Sequence, residues 1–304
     1  MATGAEWSFL GLASLPADIL PSVVVLPVPW ERSTSYVQGT REGPQAILRA
    51  SRQVELYDEE LDADTWRAGI DTLPALRPTA DQAPRALAAI RAAVAEILER
   101  QAFPLLLGGE HTLTVGAVGA VAERYPDLTV LQIDAHADLR SSFRGDAWSH
   151  ACTMSRVREI CPHVGVGIRA LSRAEAERIA SCRWPIWRAA DCVGGGWIEE
   201  VVEELSEHVY ISVDLDGLDP SVIPAVGTPE PAGLNWRQCL QLLRRCTASR
   251  TVVGADLVEL CPDGDGVRSA FAAARLAYRL IGYVLTAGGR RPAPRSIEAP
   301  EEDG

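Results

Sequence analysis

The sequence predicts an α/β fold in which helices cover both faces of a central, mainly parallel sheet. Short runs rich in β-branched residues or leucine recur along the chain, and helical patterns lie between them. This alternation favours a parallel sheet, whose active site lies beyond the carboxyl ends of the strands. The 304 residues, 47% of them hydrophobic, can bury one large core. We therefore predict one domain over residues 1–288 and a solvated tail over residues 289–304.

Each element is predicted from a local pattern. Asp81 is a candidate cap for the first clear helix, Ser172 with Glu175 resembles a capping box, and Asn235 is a further candidate cap. Helices are predicted over Pro84–Arg100, from Ser172 to Ala180, from Asn235 to Cys246 and over Val267–Leu285. Strands are predicted over Ser22–Leu26, Pro104–Leu107, Leu128–Ile133, His163–Ile168, Val209–Val213 and Thr251–Ala255.

Composition limits the classes of partner. The net charge of −12 opposes binding to nucleic acid and would concentrate small cations near the surface, although it also serves solubility. No uncharged apolar segment reaches the ~20 residues that span a bilayer, and no export signal is visible. The seven cysteines form no CxxC pair, which disfavours a disulfide framework and a cysteine zinc site. We expect a cytoplasmic protein with a small cationic substrate and neither a nucleic acid nor a membrane partner.

Three predicted strands run directly into histidine or carboxylate groups. A single Asp or His at a strand end is usually a cap, a turn former or a satisfied polar group, but six on three strand ends have no comparable explanation. Alternate residues of an extended strand share a face, so Asp134, His136 and Asp138 can converge. The six candidate ligands are His111, Asp134, His136, Asp138, Asp214 and Asp216.

The chemistry of these six groups indicates a metal centre. Four carboxylates are too acidic to bury without cations, and two divalent ions would balance them. A metal pair can also hold a water and lower its pKa until hydroxide is available near neutral pH. Predominantly carboxylate ligands suit Mn²⁺ better than Zn²⁺, while Ni²⁺, Co²⁺ and iron remain open.

The order and spacing of five segments resemble the ureohydrolase family, which includes arginases and agmatinases. The segments are VPWERSTSYVQGTREGPQAI (28–47), which is agmatinase-like, GGEHTLT (108–114), DAHADLR (134–140), SHACTM (149–154) and SVDLDGLDPSVIPAVGTPEPAGL (212–234). The resemblance implies a three-layer α/β/α, arginase-like fold, two Mn²⁺ per chain and a homo-oligomer, a trimer or hexamer. It implies one metal on His111, Asp134, Asp138 and Asp214 and the other on Asp134, His136, Asp214 and Asp216.

The resemblance also implies roles for residues outside the ligand set. His150 matches the family's proton-shuttling histidine, against the alternative of a surface loop histidine. Glu259 matches a carboxylate that orients the guanidinium group, a role that suits planar N–H donors, against the alternative of a strand-end ion pair. Thr228 is a candidate support for Glu259 within the substrate site. Arg41, in a loop before a helix that Pro44 could open, and Arg140 are left without a role.

The implied activity is hydrolysis of a guanidino compound to urea and an amine, with agmatine, giving putrescine, as the favoured substrate. Arginine, guanidinobutyrate and guanidine remain alternatives. So do a catalytically silent metal-binding relative and a polyamine deacetylase with a single zinc. Family members often have Pro-Gly-Thr-Gly where this chain has Pro224-Ala225-Val226-Gly227, and Gly-Gly where it has Ala232-Gly233. The two lost glycines bear on the loops near the pocket and so on the fit of the substrate, not on the metal site.

Overall fold

The computed structural model describes residues 7–15, 19–78, 82–262 and 266–287. Within these residues the strands are β1 (Val23–Val28), β2 (Ile70–Thr72), β3 (Phe103–Gly108), β4 (Thr129–Ile133), β5 (His163–Ile168), β6 (Ile186–Arg188), β7 (His208–Asp214) and β8 (Thr251–Val258). The α-helices are α1 (Gly43–Ser51), α2 (Ala83–Glu99), α3 (Leu113–Arg124), α4 (Thr153–Val157), α5 (Arg173–Cys182), α6 (Trp197–Glu203), α7 (Trp236–Ser249) and α8 (Gly266–Thr286).

The eight described strands form one sheet in the order β2-β1-β3-β8-β7-β4-β5-β6, and every pairing between them is parallel. The carboxyl ends of all the strands therefore meet at one edge. In the centre, Ile133 of β4 pairs with Val213 of β7, and Asp214 of β7 pairs with Val258 of β8. The ends of β4, β7 and β8 thus lie side by side.

Helices cover both faces of this sheet, because alternate strand residues enter two separate hydrophobic cores. On one face Val23, Leu105 and Ile211 pack with residues of α1, α6, α7 and α8. On the other face Val24 and Leu106 pack with residues of α2, α3, α4 and α5. This alternation is the period of a strand buried on both sides. It confirms the predicted three-layer α/β/α fold, in which the sheet is parallel throughout the described residues.

Local sequence signals explain most of the elements. The capping box predicted at Ser172 and the cap predicted at Asn235 are both formed, since each side chain accepts a hydrogen bond from the backbone of the third helical residue. Asn235 also forms a full capping box, with Gln238, which was not predicted. Pro44 lies in the first turn of α1, as predicted. Asp81, the predicted cap of α2, lies outside the described residues, and Gln82 occupies the N-cap position without a side-chain cap.

The predicted C-terminal tail is not tested by the structure. The tail over 289–304 lies outside the described residues, and the division between domain and tail stays a prediction. Among the described helices, none combines the length and apolarity needed to cross a membrane.

Candidate metal centre

The candidate centre lies at the carboxyl edge of the sheet, beyond the ends of β3, β4 and β7. A tight turn after β3 carries His111 into this edge. A Cβ on Gly109 would lie 2.2 Å from the carbonyl oxygen of Trp30, so only glycine fits there. The next residue, Glu110, is fully buried, and His111 is 1% exposed. The GGEH segment therefore brings an imidazole to the point where β4 and β7 end.

The acids reach the centre by a different route from the predicted one. The extended-strand explanation is wrong, because β4 ends at Ile133 and β7 ends at Asp214. Asp138 lies in a loop with a left-handed φ of +52°, and Asp216 lies in a 3₁₀ turn over Leu215–Gly217. Asp216 is held in this turn because its N–H donates to Asp214 Oδ1 at 3.0 Å. Turn chemistry therefore replaces strand alternation as the cause of convergence.

All six predicted ligands are brought together in one cluster. The Nδ1 atom of His111 lies 3.3 Å from Asp134 Oδ2, 3.2 Å from Asp138 Oδ2 and 3.3 Å from Asp214 Oδ2. The cluster continues on the other side of Asp134, where His136 Nδ1 lies 3.7 Å from Asp134 Oδ1 and 3.0 Å from Asp216 Oδ2. Asp134 therefore lies between the two imidazoles, one oxygen towards each.

This arrangement fits bound divalent cations. His111 Nδ1 is buried without a hydrogen-bond partner among the described residues, although three carboxylate oxygens surround it. A histidine that binds a metal needs a ring nitrogen that is not used in a hydrogen bond, and the surrounding carboxylate oxygens can bind the same ion. Two groups have ligand atoms within 4.8 Å of one another: His111, Asp134 and Asp138, and Asp134, His136 and Asp216.

A buried hydrogen-bond network orients His111 through Nε2, the ring nitrogen that does not face the acids. Its Nε2 lies 3.0 Å from Ser212 Oγ, and Ser212 donates to Asp256 Oδ1 at 2.7 Å. Asp256 is also held by Tyr210 and Thr114, whose hydroxyls donate to Oδ2 at 2.7 and 2.8 Å. A ligating imidazole is normally fixed in this way through its other nitrogen. The sequence interpretation did not single out this network, although Ser212 lies two residues before Asp214.

Burial and mutual repulsion make the centre electrostatically costly without cations. Burial raises the pKa of Asp214 well above its ordinary range, and the negative charges of Asp216 and Asp134 raise it further. Burial likewise raises the pKa of Glu259, with Glu110 adding a second negative charge. A cation at this place would reverse both effects, because it favours the charged carboxylates.

Glu259 and Thr228 lie beside the cluster. Glu259 follows β8 directly with a φ of +65°, and its Oε1 accepts a hydrogen bond from the backbone N–H of His111 at 2.7 Å. This bond ties the carboxylate to the metal centre. The Thr228 hydroxyl donates to Asp216 Oδ2 at 3.5 Å, and no hydrogen bond joins it to Glu259 among the described residues. The expected support of Glu259 by Thr228 is therefore replaced by a contact with a candidate ligand.

His150 occupies a pocket of hydroxyl groups rather than a free surface loop. Its Nδ1 lies 3.2 Å from Ser33 Oγ and 3.3 Å from Ser149 Oγ, and its Nε2 lies 3.1 Å from Ser35 Oγ. Ser33 and Ser35 belong to the agmatinase-like segment at the N-terminus, but nothing in a local pattern assigns them to His150. Their partner is more than a hundred positions away, so only the fold reveals the contact.

Arg41 and Arg140, which were left without a role, both contact other side chains of the protein. Arg41 Nε lies 2.7 Å from Glu31 Oε2, so this side chain forms an ion pair. Arg140 Nε lies 3.7 Å from Glu175 Oε2, and its guanidinium carbon lies 5.3 Å from the centroid of the Phe143 ring. Both guanidinium groups are thus held by protein partners.

One of the departures from the family pattern lies beside Glu259. Val226 pairs in an antiparallel bridge with Leu260, the residue that follows Glu259. Ala232 adopts a left-handed φ of +62°, a conformation that glycine adopts more easily. The first departure therefore lies next to Glu259, and the second leaves an alanine in a backbone conformation that glycine favours.

The fold and the site together define a hydrolase of the α/β/α class with a cluster of metal-binding acids and imidazoles at its sheet edge. A family model described as "Arginase family" matches residues 21–282. The chain belongs to the arginase family.

Named relatives and a solved structure agree with this assignment. An N(1)-aminopropylagmatine ureohydrolase of Synechocystis sp. is 40% identical over 92% of this chain and 95% of its own length. An agmatinase of Pyrococcus horikoshii is 33% identical over 85% and 90%. The structure of the agmatine ureohydrolase of Thermoplasma volcanium aligns with a TM-score of 0.79 at 31% identity, over 87% of this chain and 90% of that one.

Proposed function

We propose that this chain uses two divalent ions, Mn²⁺ in the first place, to hydrolyse an agmatine-type guanidino compound to urea and an amine. The observation that carries the proposal is the paired arrangement around Asp134, with one imidazole and further carboxylates on each side. Membership of the arginase family and relatives named ureohydrolase and agmatinase support the same activity.

The proposed ligand sets share two acids. His111, Asp134, Asp138 and Asp214 would hold one ion, and Asp134, His136, Asp214 and Asp216 the other. When bound, the ions would activate water near neutral pH and stabilise developing negative charge. Four carboxylates and two imidazoles favour Mn²⁺, with Ni²⁺ and Co²⁺ as alternatives.

Glu259 is proposed to hold the guanidinium group. Its Oε1 is fixed by the N–H of His111, and no hydrogen bond to Oε2 is formed among the described residues. That second oxygen is available to accept an N–H of the substrate. A guanidinium beside Glu259 would also favour the charged form of a carboxylate whose pKa burial has raised. The bond to His111 therefore sets the substrate at a fixed position relative to the metal ligands.

His150 is proposed to deliver a proton to the departing amine. An amine leaves a carbon centre readily only when its nitrogen is protonated, and imidazole is the usual donor near neutral pH. The hydroxyls around both ring nitrogens provide partners for the charged and the neutral ring. The segment that carries His150 follows the proposed metal-binding loop of Asp134 to Asp138, which supports a role near the ligands.

Agmatine and its N(1)-aminopropyl derivative are the two substrates we favour. The net charge of −12 and the agmatinase-like N-terminal segment support a cation with an alkylamine tail. The second candidate is supported by the name of the Synechocystis relative, which is more similar to this chain than the agmatinase of Pyrococcus horikoshii is. The cytoplasmic location and the trimeric or hexameric assembly stay predictions.

The deciding experiment measures urea release from a substrate panel together with metal content. Agmatine, N(1)-aminopropylagmatine, arginine, guanidinobutyrate and guanidine are compared by kcat/KM on protein loaded with Mn²⁺, Ni²⁺ or Co²⁺. We expect two ions per chain and the highest kcat/KM on one of the first two compounds. Two bound ions with no urea from any compound would favour a silent relative, and a single zinc would favour a polyamine deacetylase.

A further inference from the structure

The loop over residues 31–41 is held by hydrogen bonds to carboxylates at both of its ends. At its start, Glu110 Oε2 accepts hydrogen bonds from the backbone N–H groups of Arg32 at 2.6 Å and Ser33 at 2.5 Å. Towards its end, Glu31 Oε1 accepts from Gly39 N at 2.7 Å and Oε2 accepts from Arg41 Nε at 2.7 Å. Two buried carboxylates thus fix a loop that has no regular secondary structure before Thr40.

Between these ends, two serines contact the two ring nitrogens of His150. Ser33 Oγ lies 3.2 Å from Nδ1, and Ser35 Oγ lies 3.1 Å from Nε2. A hydroxyl has one proton to donate and two lone pairs to accept with. The other partners of each hydroxyl therefore decide which ring nitrogen carries the proton.

The hydrogen bonds of Ser33 leave only one arrangement. Its hydroxyl donates to Glu110 Oε1 at 2.6 Å, and its oxygen accepts from the backbone N–H of His150 at 2.9 Å. The remaining lone pair faces His150 Nδ1, so this nitrogen must be the donor. Ser149 Oγ, at 3.3 Å, can accept from the same N–H. Nε2 is then the unprotonated nitrogen, and Ser35 is free to donate to it.

We propose that Glu110 and Ser33 fix the neutral ring of His150 in the Nδ1–H tautomer, so that Nε2 is the atom that takes up and delivers the proton. Ser33 and Ser35 are positioning residues in this scheme, because they act through His150. Ser35 donates to the neutral Nε2 and, after rotating its hydroxyl, accepts from the protonated one. The inference rests on the proposed proton-carrying role of His150.

A substitution at Glu110 tests whether Ser33 donates to Glu110 and accepts a hydrogen bond from His150 Nδ1. In Glu110→Gln, the amide oxygen must take the place of Oε2, because the backbone N–H groups of Arg32 and Ser33 only donate. The amide nitrogen then faces Ser33 and donates to it, which turns the Ser33 proton towards His150 Nδ1. The neutral ring should therefore change to the Nε2–H tautomer.

The tautomer is read by ¹⁵N NMR of histidine-labelled full-length protein, loaded with diamagnetic Zn²⁺ and kept at a pH where a histidine ring is neutral. The chain has five histidines, and His150→Ala assigns the signal of interest. We expect Nδ1–H in the wild type, Nε2–H in Glu110→Gln and a mixture in Ser33→Ala. Ser22→Ala is the matched control, since its part-buried hydroxyl donates to Ala68 O at 2.7 Å. A wild-type ring protonated on Nε2, or a tautomer unchanged in Ser33→Ala, would overturn the inference.

Kinetics show whether the fixed ring matters for turnover. Ser33→Ala should lower kcat about fivefold to tenfold, the effect of one lost neutral hydrogen bond, with KM and bound metal unchanged. Ser33→Thr keeps the hydroxyl and should restore most of kcat. An equal loss of bound metal, or no rescue by Thr, would show a purely structural role. If no guanidino compound yields urea, the proposed function fails, while the tautomer measurement still decides this inference.

Discussion

Two regions of the molecule each gather several acids around at least one buried carboxylate, and they compensate the negative charge in opposite ways. In the cluster on α8, which consists of Asp58, Glu59, Glu60 and Arg279, the guanidinium contacts Asp58 Oδ1 at 2.9 Å, Glu59 Oε1 at 2.7 Å and Glu60 Oε2 at 2.8 Å. In the metal centre, no arginine forms an ion pair with Asp134, Asp138, Asp214 or Asp216 among the described residues, and the sequence contains no lysine.

The difference separates a structural cluster from a functional one. A buried carboxylate is tolerated only when a charge or several hydrogen bonds compensate it. The cluster on α8 carries its own cation, which is 4% exposed, so it joins the 58–60 loop to the helix without any ligand. The metal centre has an excess of acid and an unpartnered imidazole nitrogen, so its compensation must come from outside the chain. Substitutions in the two regions should accordingly differ in whether bound metal responds.

The largest effect is expected in the metal centre. Asp216→Ala removes a proposed ligand, so we expect loss of at least one bound ion per chain and turnover at the background level. Bound metal is measured by elemental analysis beside urea release. Loading with Mn²⁺ should raise the unfolding temperature of the wild type far more than that of the variant, because only the intact site gains binding energy. Full metal content in an inactive Asp216→Ala would contradict this ligand assignment.

The next effect concerns His150, which is not among the proposed metal ligands. His150→Ala should keep both ions and lower kcat about 10²- to 10⁴-fold, the usual contribution of a positioned general acid. The matched control is His208→Ala, whose ring pairs with Asp127 at 2.8 Å at the start of β7, away from the carboxyl edge. The control should keep both activity and metal. Equal loss of metal in His150→Ala and Asp216→Ala would remove the proposed division between ligand and proton donor.

Arg279→Leu examines the self-compensated cluster. The change leaves Asp58 buried without its cation, which should lower the free energy of unfolding by about 3–5 kcal/mol. Urea denaturation measures this loss, and kcat per folded molecule and bound metal should stay at wild-type levels. Arg245→Leu is the control, because its pair with Glu199 is exposed to solvent and its loss should leave stability nearly unchanged. A fall in metal content in Arg279→Leu would show that the two regions are not independent.

The sequence predicted the layers of the fold well and its edge strands poorly. Six strands were predicted from β-branched and leucine-rich runs, and all six exist because they are buried on both faces. The strands β2 and β6 have three residues each, lie at the two edges of the sheet and include Asp71 and Arg188. So short a segment has no period to recognise, and only pairing with a neighbouring strand makes it extended.

The candidate site, like the fold, was predicted only in part from the sequence. The types and order of the proposed ligand residues could be predicted from the sequence, whereas the turns that bring them together could not. The left-handed φ of Asp138 and the 3₁₀ turn at Asp216 depend on local hydrogen bonds that periodicity does not encode. The hydroxyl partners of His150 come from a loop more than a hundred positions away, and such contacts follow from topology rather than from local pattern.

The smallest expected effect is a change in how the stability of the protein depends on pH, and it concerns the cluster on α8. Hydrogen bonds from Arg279 lower the pKa of Glu59 from 4.5 to about 2, and Glu59 is largely exposed at 63%. A carboxyl whose pKa is depressed in the folded state stabilises the protein above its unfolded value and loses that effect as the pH falls through the folded value. Stability should therefore decline between about pH 4.5 and 2, and Glu59→Gln should flatten that decline by less than about 1 kcal/mol, because solvent screens the pair. Urea denaturation of metal-free wild type and Glu59→Gln across this range measures the effect, because the difference between the two proteins cancels the titration of the acids in the metal centre. A flattening as large as the loss in Arg279→Leu would mean that Glu59, rather than the buried Asp58, is the acid for which the arginine is needed.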